Sequence, residues 1–245
     1  MNDKKSILIS IILIFIVLVV LIFAVPQNFE VAKDLVLEET YELKDIIIES
    51  NVSNIHIKHS DEQIIKVKIY GDKNRTKIDD YDKLSIVSKV KECKIFCRKN
   101  KIASIEITLP KDYGYKLKIN NDYGNVSVDN FENGIFDVET DTGRVTIDEV
   151  KNLKLDVDVG DIIIGKINNK LDIEVDAGDL TIEEINLNEN SIINIDTGNV
   201  KINKTNEIYF DTKVDVGKVD INNNYRKSDI ELKIKLDVGN ISIKN

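Results

Sequence analysis

The stretch LKLDVDVGDIII, residues 153–164, contains the pattern that predicts the fold of this chain. Leucine and valine alternate with lysine and aspartate up to an Asp-x-Gly unit, and an aliphatic pair two residues apart follows the glycine. Such alternation is typical of half-buried β-strands, and glycine allows the chain to bend sharply between them. The stretch therefore predicts two strands joined by a tight turn.

The same unit, Asp-x-Gly-x-aliphatic-x-aliphatic, occurs seven times in the carboxyl-terminal half of the chain. Its aspartates and glycines are Asp122, Gly124, Asp141, Gly143, Asp158, Gly160, Asp176, Gly178, Asp196, Gly198, Asp215, Gly217, Asp237 and Gly239. Successive aspartates lie 17 to 22 residues apart, and six of the seven residues three positions before them are aliphatic. A weaker eighth copy, residues 51–57, has Asn and Ser in place of Asp and Gly. Self-similarity at a near-constant period indicates a stack of equivalent units.

A parallel β-solenoid, or β-helix, explains this repeat better than an antiparallel meander does. In a solenoid, equivalent residues of successive coils lie above one another, so the residues of each column are of one type, either aliphatic or polar. An antiparallel meander gives no reason for a common period. We therefore predict an all-β fold with coils of about 18–20 residues over residues 111–245, in which polar loops such as residues 167–170 join the strands. Residues 41–110 are strand-rich but lack the glycine signature, and we expect irregular coils or an amino-terminal cap there.

The composition excludes several classes of function. The 245 residues include 34 Lys and Arg against 43 Asp and Glu, a net charge of −9, whereas a nucleic-acid partner requires a basic surface. Two His, two Cys and no Trp are too few for zinc, haem, iron–sulfur or Ser-His-Asp chemistry. The short predicted loops also leave no cleft wall for a polysaccharide-cleaving enzyme. We therefore expect a protein that is not an enzyme and does not bind nucleic acid.

The amino-terminal residues 6–25 are uncharged and almost all aliphatic or aromatic. A helix of this length covers about 30 Å, the hydrocarbon thickness of a bilayer. Lys4 and Lys5 precede the segment and the next basic residue is Lys33, which favours a cytoplasmic amino terminus. A cleaved signal peptide stays the alternative, although its apolar region is usually about 7–15 residues long. We predict a cytoplasmic stub at residues 1–5, a single transmembrane anchor at residues 6–25, a linker at residues 26–40 and an extracytoplasmic domain beyond it.

The repeated aspartates have a structural and a metal-binding interpretation. An Asp side chain can accept a hydrogen bond from the backbone N–H two residues on, which stabilises a turn. In a solenoid the aspartates would stack about 4.8 Å apart and repel one another, and a cation would offset that repulsion. Additional acids define weak calcium candidates at four residues: Asp158, Asp161, Asp176 and Asp179. Because Arg144 and Lys218 interrupt the corresponding column, we favour the structural role and expect no other cofactor.

The remaining candidate residues favour structural roles. Cys93 and Cys97 lie four positions apart, about 13 Å on a strand, so we expect free thiols unless a bulge or turn brings them within disulfide reach. His56 and His59 lie three positions apart and point to opposite faces of a strand, which argues against a shared metal. Three tyrosines form either a small binding patch or a packed junction with the first repeat: Tyr113, Tyr115 and Tyr123.

The stretch IEITLPKDYGYKLKINNDYGNVSV, residues 105–128, followed by the Asp-x-Gly repeats, resembles the putative-adhesin family of bacterial strand-repeat proteins of unknown function. The resemblance covers residues 40–245. It implies a right-handed β-helix-like domain on a bacterial surface, because members of that family often have an amino-terminal membrane anchor and some are encoded beside cell-envelope stress systems. The shared motif is the repeat turn, and the family supplies no catalytic residues.

These features together predict a non-enzymatic, membrane-anchored cell-surface domain that serves as an adhesin-like module or an envelope scaffold. The alternatives are an accessory protein of an envelope stress or signalling system and a calcium-dependent polysaccharide-binding module. The expected partners are the membrane, a cell-envelope protein or polysaccharide, and a second copy of the chain. We expect weak self-association through the carboxyl-terminal coil, where the core ends at Ile243 and only three lysines protect it: Lys233, Lys235 and Lys244.

Overall fold

The computed structural model describes residues 30–89 and 102–244, which fold almost entirely into β-strands. The strands are β1 (Leu35–Tyr41), β2 (Ile46–Ser50), β3 (Ser53–Ser60), β4 (Ile65–Tyr70), β5 (Thr76–Asp80), β6 (Leu84–Ser88), β7 (Ala103–Pro110), β8 (Lys116–Tyr123), β9 (Val126–Thr142), β10 (Val145–Val159), β11 (Ile162–Ala177), β12 (Leu180–Ile185), β13 (Ser191–Thr197), β14 (Val200–Ile202), β15 (Tyr209–Ile221) and β16 (Glu231–Ile243). A short 3₁₀ turn at Lys73–Arg75 precedes β5. The predicted transmembrane segment and both cysteines lie outside the described residues, and no helix within the described ranges has the length and apolarity to cross a bilayer.

The central strands β9, β10 and β11 show how the repeat stacks. Leu155 of β10 aligns with Val138 of β9 and Ile173 of β11, and the three strands run parallel. These aliphatic side chains are buried, whereas the neighbouring Asp156 is exposed, so the alternation in the sequence separates core from solvent. The all-β, parallel-strand part of the prediction is confirmed.

The long central strands continue through bends instead of ending in polar loops. β11 is unbroken, so the loop expected at residues 167–170 is part of a strand. Ile167 is buried at this bend, and the Asn169 amide donates to Asn152 Oδ1 of the preceding coil at 2.8 Å. Polar side chains at the bends therefore bond along the stack, where the backbone pairing shifts register by one residue between Val150 and Asn152 of β10.

The order of the strands in the stack departs from their order in the chain at both ends. At one end, β3 lies between β7 and β9, and β2 lies between β6 and β8. At the other end, β16 lies between β13 and β15 and pairs in parallel with both. Among the described residues β15 is therefore the outermost strand there, which corrects the expectation that the coil containing Lys233, Lys235 and Ile243 forms the end of the stack.

Antiparallel strands cover the amino-terminal end of the stack. β4 pairs antiparallel with β7 on one side and with β1 on the other, and β5 pairs antiparallel with β6. Three residues of β4 are fully buried by this arrangement: Ile65, Val67 and Ile69. Residues 41–110 thus combine parallel pairing of β2, β3, β6 and β7 with the antiparallel strands β4 and β5.

The carboxylate of Glu149 joins neighbouring coils at one bend. It accepts hydrogen bonds from the Asn130 amide at 2.6 Å, the Lys166 ammonium at 2.9 Å and the Asn168 amide at 2.8 Å. Its side chain is only 15% exposed. Burial acts to raise the pKa of this carboxyl, but the hydrogen bonds from Asn168 and Lys166 outweigh burial and hold the pKa below its usual value.

Glu149→Gln should destabilise the protein in a pH-dependent way. Because folding lowers the pKa of Glu149, the carboxylate adds stability above the pKa of the unfolded chain, about 4.5, and this contribution is lost as the pH falls through the folded pKa. At neutral pH the loss should be about 1–3 kcal/mol, since glutamine removes the ion pair with Lys166 and leaves one acceptor oxygen in place of two. Urea unfolding at neutral pH and at pH 3, with the exposed Glu132→Gln as control, measures it. A deficit that is equal at both pH values contradicts the electrostatic role.

Candidate functional site: the turn column and the acidic face

The glycines of the seven repeats form one column along the stack, which we call the turn column. The Cα of Gly160 packs against the carbonyl oxygen of Gly143, so that a Cβ atom at Gly160 would overlap that oxygen. Gly178 meets Gly160 in the same way. The column begins in the weaker eighth copy, where the carbonyl oxygen of Ser53 packs against Gly124. The backbones approach so closely that only glycine fits.

Backbone dihedral angles alone do not explain these glycines. Five of the seven have φ values between 129° and 158°, a region that glycine adopts readily. Gly143 and Gly160 are not among them, yet a Cβ atom at either would overlap a carbonyl oxygen of the adjacent coil. The turn geometry therefore accounts for five glycines, whereas the close approach between coils accounts for all seven.

A ladder of Asn and Asp side chains runs beside the turn column, one residue after the glycine. Each of its side-chain oxygens accepts a hydrogen bond from the backbone N–H of the equivalent residue in the next coil. The acceptors, which we call the Asx ladder, are Asn54 (3.0 Å), Asn125 (3.0 Å), Asp161 (3.5 Å), Asp179 (2.8 Å), Asn199 (3.1 Å) and Asn240 (3.2 Å). The ladder satisfies N–H groups at the turns, where the strands are interrupted.

Sequence reasoning missed the ladder, although a signal for it was present. The residue after the glycine is Asn or Asp in five of the seven repeats. Arg144 and Lys218 occupy the other two positions and donate their backbone N–H groups to the ladder. The interpretation of Asp161 and Asp179 as extra calcium ligands treated each repeat by itself, whereas these side chains bond to the neighbouring coil.

The aspartates of the Asp-x-Gly units do not make the turn hydrogen bond expected of them. In five of the seven units, the glycine N–H that they would bind donates instead to a carbonyl oxygen of the next coil. Examples are the N–H of Gly160, which donates to Ala177 O at 3.0 Å, and that of Gly143, which donates to Val159 O at 3.1 Å. All seven aspartates are exposed, and their carboxylates face solvent.

Six carboxylates of three consecutive coils form a contiguous surface, which we call the acidic face: Glu139, Asp141, Asp156, Asp158, Glu174 and Asp176. Glu139, Asp156 and Glu174 are aligned in register on β9, β10 and β11. Burial and the carboxylates of Asp122 and Asp158 raise the pKa of Asp141. Within the described ranges, the basic group in ion-pair contact with this face is that of Lys118, 3.9 Å from Glu139. The surface is therefore suited to a cationic partner.

The four calcium candidates are divided between these two surfaces. Asp158 and Asp176 belong to the acidic face, whereas Asp161 and Asp179 belong to the Asx ladder. Asp179 Oδ1 accepts from the next coil, and Asp161 Oδ2 is 3.6 Å from the Arg144 guanidinium. In the part of the chain that the structure describes, no three His, Cys, Asp or Glu side chains gather as metal ligands would. Calcium binding stays a prediction.

The two histidines of β3 contact different residues, and His56 lies in a row that contains an acid and a hydroxyl. Its Nδ1 is 2.7 Å from Ser127 Oγ, whereas His59 pairs elsewhere. Burial lowers the pKa of His56. Glu106, His56 and Ser127 are aligned across β7, β3 and β9, but the Glu106 carboxylate pairs with the Lys58 ammonium at 2.9 Å. The row therefore lacks the acid–imidazole hydrogen bond that orients a catalytic histidine.

Tyr113 belongs to a packed junction between the irregular region and the first repeat. Its side chain is 1% exposed, its hydroxyl donates to the Lys44 carbonyl oxygen at 2.9 Å, and burial raises its pKa. The ring of Tyr115 lies 5.7 Å from that of Tyr113, centroid to centroid. Tyr115 and Tyr123 remain 45% and 39% exposed. Of the two interpretations, the packed junction applies to Tyr113.

The chain matches one domain family and is similar to several solved structures of bacterial proteins. The profile of the family described as Toastrack DUF4097 matches residues 43–245. Among curated proteins, none matches the chain. The chain is similar to a putative cell adhesion protein from Clostridium sporogenes, with 18% identity, a TM-score of 0.39, and 85% of this chain and 99% of that one covered. It is also similar to putative adhesins from Parabacteroides distasonis (14% identity, TM-score 0.44, 89% and 98% covered) and Bacteroides fragilis (18%, 0.41, 89% and 100%).

Gly160→Ala should destabilise the protein through contact between coils. The backbone of Gly160 is not in the positive-φ region, so the cost arises from overlap of the new Cβ with the Gly143 carbonyl oxygen. Overpacking of this kind costs about 1–3 kcal/mol, occasionally more. Gly114→Ala is the matched control, because a Cβ there would be 3.8 Å from the Asp112 oxygen. Urea unfolding of the full chain measures both, and equal losses would argue against the turn column.

Asp179→Ala and Asp179→Asn separate the acceptor role of Asp179 from its charge. Asp179 Oδ1 accepts from the backbone N–H of Asn199 at 2.8 Å and from its amide at 2.9 Å. Alanine removes both bonds and should cost about 0.5–1.5 kcal/mol. Asparagine keeps an acceptor oxygen and should stay within about 0.5 kcal/mol of the native protein. Thermal unfolding with calcium and with chelator measures this, and a calcium-induced rise that Asp179→Asn abolishes would instead assign the residue to a metal site.

Proposed function

Because this chain belongs to the Toastrack DUF4097 family and its repeats present the acidic face on a parallel sheet, we propose that it is a non-enzymatic, adhesin-like module of the bacterial cell surface. The family match confirms the resemblance indicated by residues 105–128. In this proposal the domain is a parallel β-solenoid that binds a partner through its acidic face. Residues 6–25 anchor it in the membrane, with the amino terminus in the cytoplasm.

The acidic face is the observation that supports an interaction role. Directly opposed like charges destabilise a sheet, so stability alone gives no reason to align Glu139, Asp156 and Glu174. Burial and the neighbouring carboxylates raise the pKa of Asp141, because each makes its charged form less favourable. A cationic partner relieves that repulsion when it binds, and the relief contributes to the free energy of binding.

The charge of the domain supports the same arrangement at the membrane. Without Asp3, Lys4 and Lys5, the chain beyond residue 25 has 32 basic and 42 acidic side chains, a net charge of −10. An anionic lipid surface repels such a domain, so the acidic face is presented to the envelope and not to the bilayer. Its partner is then a cell-envelope protein or polymer with positive groups at the contact.

The acidic face should be required for contacts on intact cells. The test variant changes four of its carboxylates to amides: Asp156, Asp158, Glu174 and Asp176. The control changes four exposed acids elsewhere in the same way: Glu132, Asp148, Glu207 and Asp220. A membrane-impermeant, amine-reactive crosslinker is applied to intact cells, because neither variant alters a lysine. The test variant should capture at least about fivefold less partner than the native protein, whereas the control should capture the same amount.

Two results would contradict the proposal in different ways. If the impermeant reagent does not label the chain, the surface location is wrong. If the test variant and the control capture equal amounts, the acidic face is not the contact surface. Crosslinked peptides that are basic in the captured partner would support the electrostatic contact.

A further inference from the structure

β15, the outermost strand at one end of the stack, leaves the end of the core uncovered. Within the described residues it pairs with β16 alone. On β16, Leu236 and Ile241 are each 1% exposed. Their register partners on β15, Val214 and Val219, are half-buried and 43% exposed, respectively. The aliphatic columns therefore end at a strand that no further coil covers in the described ranges.

The outer edge of β15 also presents backbone hydrogen-bonding groups. The Tyr209 N–H points towards β16, and the Phe210 N–H and C=O point outward, where the Asn224 side chain binds them at 2.9 and 3.0 Å. Successive residues of a strand direct these groups to alternate edges, so those of Thr212 and Val214 also point outward. Within the described residues they have no hydrogen-bond partner. Asn224 thus closes the start of the edge and leaves the rest of it open.

The side chains of this edge have a charge pattern that is complementary to itself. β15 contains no proline, and none of its inward-pointing residues is charged, so two devices that usually prevent edge pairing are missing. Lysines repel a second identical edge, but here each lysine is followed two residues later by an aspartate: Lys213 by Asp215, and Lys218 by Asp220. Lys213 and Asp215 form an ion pair within β15 at 3.1 Å, and an identical strand opposed to them in the antiparallel direction adds two ion pairs between the copies.

We propose that β15 pairs antiparallel with β15 of a second copy of this chain, about a two-fold axis at Val214. In this register the outward backbone groups of Val214 in the two copies form a hydrogen-bonded pair. Lys213 of each copy then faces Asp215 of the other copy in the closer, non-hydrogen-bonded position, where cross-strand side chains interact most strongly.

The two-fold contact uses the same edge of both copies and forms a closed dimer, whereas a head-to-tail contact leaves an edge free at each end. A head-to-tail arrangement places β15 against the antiparallel strands at the opposite end and propagates into a filament. On β1, the outer strand at that end, the Glu38 carboxylate is already paired with Lys66 at 3.0 Å and Lys68 at 3.3 Å, so it is not available to a lysine of β15. The coil of Lys233 and Lys235, from which self-association was expected, is paired on both edges and is not available.

Charge reversal tests the register. Lys213→Glu places a glutamate opposite an aspartate twice across the two-fold axis. Within the same chain, the new glutamate lies beside Lys235, its register partner on β16, so the variant should still fold. The double variant K213D/D215K exchanges the charges and restores both pairs. Lys201→Glu, at an exposed lysine of β14, is the matched control.

Sedimentation velocity of the full chain in detergent micelles, over a range of protein concentrations, measures the dimer. The native protein, K213D/D215K and Lys201→Glu should dimerise alike, whereas Lys213→Glu should raise the apparent dissociation constant about tenfold or more. Val214→Pro removes an outward N–H and should abolish the dimer, whereas Val214→Ala should retain it. A native protein that stays monomeric, a dimer that Lys213→Glu leaves unchanged, or open-ended filaments would each overturn the proposal.

Discussion

The close contact between glycine backbones of successive coils is the constraint on which the rest of the structure depends. Strand pairing by itself allows a register to slip, and a slip of one residue moves every side chain to the other face. At the turn column a slip brings the side chain of Val159 or Asp161 to the place of Gly160, against the carbonyl oxygen of Gly143. The turn column thus keeps the aliphatic columns of both strands aligned inside the core.

The same registry gives different properties to the two columns that flank the glycines. In the Asx ladder, stacking places an oxygen of one coil beside an N–H of the next, as at Asp179 and Asn199, and the contact joins the coils. In the Asp column, stacking places carboxylates beside carboxylates, as at Asp141 and Asp158, and the contact is repulsive. One side of the turn therefore stabilises the stack, and the other concentrates negative charge that a partner can neutralise.

The parallel stacking of the repeats could be predicted from the sequence because it follows from one period and one alternation. Leu155 and Ile173 are in register since each lies three residues before its aspartate. The Asx ladder was missed because its hydrogen bonds join different repeats, and a pattern within one repeat does not show them. The order of β15 and β16 was missed because both strands place an aliphatic residue at the same position, Val214 and Leu236, so either fits either place in the stack.

The two ends of the stack solve the problem of an exposed edge differently. At the amino-terminal end the pairing becomes antiparallel, and Lys66 and Lys68 on β4 bind Glu38 on β1, at 3.0 and 3.3 Å. At the other end β16 lies between β13 and β15, so the exposed edge belongs to β15. This strand is internal in the sequence, and the chain continues on both sides of it. Such a segment does not fray as a terminus does. An ordered edge with alternating charges is a surface that a second identical edge can match, and the acidic face, several coils away, stays open for other partners.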